Sequence, residues 1–260
     1  MKRLLVAGLL LMATPGNARI DPHAFADLSF HEHPGAQLPL DAQFRDGSGR
    51  QVTLGSALGG RPAVLVLEYL RCQNLCSLVL SGATAALARA ELIPGKQLNL
   101  VAISIDPRDS ISDAAAAGAM YSRRFPDPAA AAPGIHFLTG SPDQVGRVAA
   151  AVGFPYRLDR QSGQFAHPAG FVVTTPTGKI SRYVLGLNPS SAALRQAVTE
   201  AADDKVEPPA HPLLLLCFGY DPDEGTAAAL AMQLVRWVSL AVVVGCVLLV
   251  ALLSLRRRSA

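Results

Sequence analysis

Cysteine is scarce in this chain, with four in 260 residues. That is too few to staple a chain of this size into a disulfide scaffold. Concentrated charge is scarce as well. The net charge of +3 owes much to Lys2, Arg3 and the Arg256-Arg257-Arg258 triplet. No basic stripe interleaved with aromatics runs through the chain, which argues against a nucleic-acid surface. No internal repeat is present, so the fold must come from non-repeating elements.

Long apolar stretches stand at both ends. Met1-Lys2-Arg3 precedes an almost wholly apolar run from Leu4 to Ala13, followed by the small-x-small pattern Gly16-Asn17-Ala18. This predicts a secretory signal peptide over 1–18, too short to span a bilayer; an uncleaved anchor is the alternative. Val238 to Leu255 carries no charge over 18 residues, long enough to cross the hydrocarbon core. It has no polar face, which argues against an amphipathic core helix. Arg256 to Arg258 follow at once and favour a cytoplasmic tail; Trp237 and Arg236 suit the opposite interface. The expected order is a loose lead at 19–35, one domain at 36–203 and a linker with a membrane-proximal segment at 204–233. A single transmembrane helix at 234–255 and a tail at 256–260 complete it. The expected place is a bacterial inner membrane, with the domain in the periplasm and the C-terminus cytoplasmic.

Within the domain, strands alternate with helices. Ala63 to Leu70 is apolar and reads as a buried strand. Ser77 to Arg89, rich in Ala and Leu, reads as a helix. Asp46-Gly47-Ser48-Gly49 is a turn before a short strand, Gln51 to Leu54. Gln97 to Ile105 is a strand, and Asp106 to Ser110 caps a helix running to about Phe125. Pro126 to Pro133 reads as a loop and Ile135 to Leu138 as a strand. Ser141 and Pro142 are the N-cap and first residue of the next helix. Gln164 to Thr174 and Lys179 to Leu185 form a hairpin, and a last helix covers Ser190 to Ala202. This order describes an α/β sandwich.

Two of the four cysteines stand in Cys72-Gln73-Asn74-Leu75-Cys76, where a strand hands over to a helix. Unpaired N–H groups at a helix N-terminus favour thiolate over thiol, and Arg71 acts in the same direction. At a spacing of four, both sulfurs share one face if the segment is helical. Such a pair is a redox couple or two ligands for a soft metal; two unconnected core cysteines are the bland alternative. Helical i,i+4 Cβ atoms lie about 5–6 Å apart, whereas a disulfide wants about 3.5–4.5 Å. A bridge therefore needs Cys72 outside the regular helix.

His167, before the strand Phe171-Val172-Val173, is a third candidate ligand. Copper(I) accepts two thiolates and an imidazole well, although a lone histidine is also explained as structural or surface-exposed. His31 and His33 form a chelating His-x-His spacing or a solvated loop. Asp106 and Asp109 are helix-capping residues or part of a docking surface. His136 reads as a partly buried strand residue. Cys217 is a packing residue or a third exchangeable thiol, and Cys246 a small apolar residue of the apolar run. A peroxidase site would need a Thr or Ser and an Arg around one cysteine, and only Arg71 is near.

The set strand-Cys72-x-x-x-Cys76-helix, Ser104-Ile105-Asp106-Pro107-Arg108-Asp109, Phe137-Leu138-Thr139-Gly140 and the late His167 resembles the Sco/SenC proteins. Leu38-Pro39-Leu40 and Pro176-Thr177-Gly178-Lys179 extend the likeness over about residues 35–202. The resemblance implies a thioredoxin-like sandwich that carries copper to the binuclear copper centre of cytochrome c oxidase. Its implied ligands are Cys72, Cys76 and His167, with a possible Cys72–Cys76 redox disulfide. Implied partners are the oxidase subunit with that centre, a periplasmic thiol reductant and the inner membrane. A thiol–disulfide reductase that keeps the oxidase cysteines reduced is the alternative; it needs the same cysteines but not His167. The chain departs from the family pattern at Ser77, Asn74 and His136. Cys217-Phe218-Gly219-Tyr220-Asp221-Pro222 before the last apolar run resembles a C-terminally anchored bacterial subgroup.

Overall fold

The structure, a computed structural model, describes residues 28–71, 76–160, 163–207 and 237–239, without the side chains of Cys76 and Ser77. One compact unit is Leu28–Ala210; a second joins Met1–Asp27 with His211–Ala260. Of the second, only 237–239 are described, and they are helical and exposed. The expected signal peptide and nearly all of the expected spanning helix lie outside the described residues. Among those residues no helix is long and apolar enough to cross a membrane.

The elements run β1 (Gln43–Asp46), β2 (Gln51–Thr53), α1 (Leu54–Leu58), β3 (Ala63–Glu68), α2 (Cys76–Arg89), β4 (Asn99–Ser104), α3 (Ile111–Ser122) and α4 (Pro128–Ala131). After a 3-10 turn at Ala132–Gly134 come β5 (Ile135–Thr139), α5 (Pro142–Val152), β6 (Arg157–Leu158), β7 (Phe165–Ala166), β8 (Gly170–Thr174), β9 (Ile180–Leu185) and α6 (Ser191–Ala202). Seven strands form one sheet in the order β2-β1-β5-β4-β3-β8-β9. β3, β4 and β5 are parallel, and the strands outside them pair antiparallel.

β3 and β4 are buried at every position, because helices cover both faces of the sheet. Val64, Val66, Leu100, Ala102, Phe137 and Val173 meet α2, α3 and α6 through Leu80, Leu87, Tyr121 and Leu194. The alternate residues Leu65, Leu67, Val101, Ile103, Leu138 and Val172 meet α1 and α5 through Leu54, Leu58, Val148 and Val152. α2 carries a glycine where it approaches the chain after β9. A Cβ on Gly82 would stand 1.8 Å from the Leu187 carbonyl oxygen.

Several local expectations change for identifiable reasons. Leu54 opens α1 rather than ending a strand, because Thr53 and Ser56 form a reciprocal capping box. The segment expected as a loop at 126–133 contains α4, since the Asp127 side chain caps the Ala130 N–H and Pro128 fits the first turn. The first arm of the hairpin is broken. β7 pairs with β6 in a separate ribbon, His167 to Ala169 interrupt, and β8 pairs with β9. Residues 28–35, expected as a loose lead, pack on the domain: Leu28 is buried, and the Phe30 ring meets Phe154 and Tyr183, each at 5.4 Å. Gly153 ends α5 at φ 63°, and a Cβ there would strike the His31 carbonyl.

Candidate metal centre

β3 ends at Glu68, and Tyr69, Leu70 and Arg71 lead to Cys72, which lies outside the described residues. Cys76 is the first residue of α2, whose first turn contains no acidic residue. The partial positive charge of the helix N-terminus there is not offset by a carboxylate of that turn.

His167 stands in the break between β7 and β8. β8 runs antiparallel to β3, with Val172 opposite Leu65, so the start of β8 lies at the end of β3 that leads into the cysteines. The contacts agree. The His167 ring meets Tyr69 edge-on at 6.1 Å and stacks on Phe154 at 5.5 Å. The fold thus brings residue 167 to the strand end that carries Cys72.

The chemical state of His167 follows from two observations. Its Nδ1 lies 2.9 Å from the Pro168 carbonyl oxygen. A carbonyl only accepts, so Nδ1 carries the proton and Nε2 the lone pair. Burial pulls its pKa below the ordinary histidine value, against a smaller upward pull from that hydrogen bond. A neutral imidazole with its tautomer fixed by a backbone carbonyl is the form in which histidine ligates metals. Such an imidazole suits a soft ion of low coordination number.

Aromatic residues that sequence reading did not single out enclose this end. Phe165 lies 6.0 Å from Tyr69 and 6.1 Å from Tyr156, and Phe154 is backed by Phe30. Their positions in sequence gave no signal, since only the fold assembles them.

Asp106 and Asp109, read as caps or docking residues, do something else. The cap of α3 is Ser110, in a box with Asp113. Asp109 is buried and accepts hydrogen bonds from the Leu70 N–H, the Ser104 hydroxyl and Arg71. Asp106 is buried and gripped by Arg108. Burial alone would raise the Asp106 carboxyl, but the hydrogen bonds from Arg108 outweigh it and hold the pKa below the ordinary carboxylate value.

The other candidates lie elsewhere. His31 and His33 are exposed, and the His33 N–H donates to the Tyr183 hydroxyl. His136 is half-buried in β5, as expected of a strand residue, and burial lowers its pKa. Cys217 and Cys246 lie outside the described residues. Among the described residues no group of three or more His, Cys, Asp or Glu gathers to hold a metal.

Comparison with known proteins places this architecture. No curated protein matches the chain. Among solved structures, a protein from Aquifex aeolicus VF5 is 21% identical, with a TM-score of 0.57 over 66% of this chain and 95% of that one. Arabidopsis thaliana ScoI with copper bound is 21% identical, with a TM-score of 0.50 over 66% and 98%. BsSco, a Sco-family cytochrome c oxidase assembly protein with an identified disulfide switch, is 18% identical, with a TM-score of 0.51 over 67% and 98%. These likenesses establish the mixed α/β, thioredoxin-like fold. The family model described as SCO1/SenC matches residues 35–203, and the chain belongs to the SCO1/SenC family.

Proposed function

We propose that this protein is a membrane-anchored periplasmic copper chaperone that assists assembly of the copper centre of cytochrome c oxidase. It holds one copper ion on Cys72, Cys76 and His167. The observation that carries this reading is the place of His167: its Nδ1 faces the Pro168 carbonyl at 2.9 Å, which leaves Nε2 for a metal, and its ring stands against Tyr69, three residues before Cys72. Family membership and the copper-bound state of the Arabidopsis relative support copper as the cargo.

Copper(I) is soft, so two thiolates and one imidazole satisfy it. The thiols lose their protons as the metal enters, and the N-terminus of α2 favours that loss. A Cys72–Cys76 disulfide has no thiolate to offer. Loading therefore requires a thiol reductant that delivers two electrons and two protons to the bridge. The disulfide switch of BsSco supports such a cycle. The partner is the oxidase subunit that carries the binuclear copper site. The signal peptide expected over 1–18 and the spanning helix expected over 234–255 support a periplasmic domain.

The competing reading, a thiol–disulfide reductase for the oxidase cysteines, needs Cys72 and Cys76 but not His167. Replacing His167 by Ala in the reduced full-length protein separates the two. Copper(I) retention against a competing chelator should fall steeply while far-UV circular dichroism stays unchanged. Retention equal to wild type would refute the three-ligand site and favour the reductase.

A further inference from the structure

We infer that the loop from Ser104 to Asp109 is a clamp that fixes the chain leaving β3, at Leu70 and Arg71, relative to the His167 loop, with Arg108 as the positioning residue of the histidine arm. This rests on the metal site proposed above.

β4 lies between β3 and β5 in the sheet, so the loop that leaves β4 emerges beside the one that leaves β3. One arm reaches the cysteine side. Asp109 accepts from the Leu70 N–H at 2.6 Å and from Arg71 Nε at 2.9 Å, and Ser104 Oγ braces it at 2.7 Å. Arg71 Nη2 also donates to the Arg108 carbonyl at 2.7 Å. The two residues immediately before Cys72 are thereby tied to this loop.

The other arm reaches the histidine side. Asp106 receives Arg108 on both carboxylate oxygens, Nε at 2.8 and 3.0 Å and Nη2 at 2.7 Å. That two-pronged grip fixes the plane of the guanidinium. So oriented, Nη2 donates to the Gly163 carbonyl at 3.0 Å, and the guanidinium carbon stands 5.9 Å from the centre of the Phe165 ring. Gly163 and Phe165 precede His167 within the same short segment, where the β6–β7 ribbon supplies only two residue pairs. The ring stack on Phe154 orients the imidazole, and backbone hydrogen bonds between Asp159 and Gln164 and between Gly163 and Asp159 close the ribbon. Arg108 braces that segment from the β4 side. Its charge is matched by Asp106, so what it lends is placement rather than field.

A positioning role through His167 has a signature that general stabilisation lacks. Copper(I) affinity of the full-length, reduced protein is measured by competition with bicinchoninate. The wild type, R108Q, H167A and the double variant form a cycle. R108Q keeps a polar side chain but is shorter and loses the charge and the guanidinium fork; it should weaken copper(I) binding about tenfold. R108K, which keeps the charge without the fork, should be equally weak, and it carries the same test should R108Q unfold. In the H167A background the Arg108 substitution should cost nothing further, because the ligand it places is gone. An affinity for R108Q and R108K within about twofold of wild type, with H167A weak, overturns the clamp alone. So does an equal tenfold loss in both backgrounds. Wild-type affinity in H167A overturns the metal site itself, and the clamp with it.

Discussion

Removing the Asp109 carboxylate should be among the more damaging single changes at this end of the domain. Its side chain has no solvent exposure, and Arg71, its charged partner, is 51% exposed. The asymmetry decides the magnitude. In Asp109→Ala the Arg71 guanidinium returns to water, and the lost ion pair counts for about 0–1 kcal/mol. The Leu70 N–H is part-buried and loses its acceptor, which costs about 1–3 kcal/mol. The Ser104 hydroxyl retains a contact with the Asp106 carbonyl oxygen at 3.3 Å, so its loss is smaller. Adding the vacated volume brings the total to about 3 kcal/mol. With a urea slope of about 2 kcal/mol per molar, the unfolding midpoint should fall by about 1.5 M. The assay is urea unfolding of the metal-free protein followed by far-UV circular dichroism, with Asp109→Asn in parallel. Asp109→Asn keeps an acceptor for the Leu70 N–H and loses only the ion pair, so it should cost less than about 1 kcal/mol. Equal costs for the two variants would refute the reasoning, since the stability would then reside in the ion pair and not in the buried acceptor.

Three further outcomes follow from other sites. Gly82→Ala gains up to about 1 kcal/mol of helix propensity but should still destabilise by about 1–3 kcal/mol, because the new methyl meets the Leu187 carbonyl; urea unfolding gives the sign. Burial, aided by Arg50 and opposed by Asp46, depresses the His136 pKa. Its contribution to stability is therefore present above the unfolded value of about 6.5 and is lost as pH falls through the folded value. His136→Gln should remove part of the fall in urea midpoint between pH 7.5 and 5, the remainder belonging in part to His167, which is shifted in the same direction. A reporter active only outside the cytoplasm should work when fused after Glu207 and fail after Ala260; the reverse pattern would contradict the proposed topology.

The central strands were legible in the sequence because burial on both faces leaves an unbroken apolar signature, as in Ala63–Glu68 and Asn99–Ser104. Ser141 was legible as a cap because Pro142 follows it. α1 and α4 were not, since each is about one turn long and is made by a single cap rather than by periodicity. Asp106 and Asp109 were ambiguous for a related reason. A short polar loop before a helix looks alike whether its carboxylates cap that helix or reach across to another strand end, and only the parallel pairing of β3 with β4 settles which. Cys72, Cys76 and His167 could be named from motif and order, but the rings of Tyr69, Phe154 and Phe165 meet only after the chain has folded.

The packing of Phe30 has a practical side. The domain boundary suggested by the family match lies at residue 35, yet Phe30 is the ring behind Phe154, and Phe154 is the surface on which His167 rests. A soluble version trimmed to that boundary would retain every strand and helix from β1 to α6 and all three candidate ligands. It would also lack the wedge beneath the histidine. Poor copper binding by such a fragment would then report a missing prop rather than a wrong assignment of ligands, and a fragment meant for metal studies should start no later than Leu28.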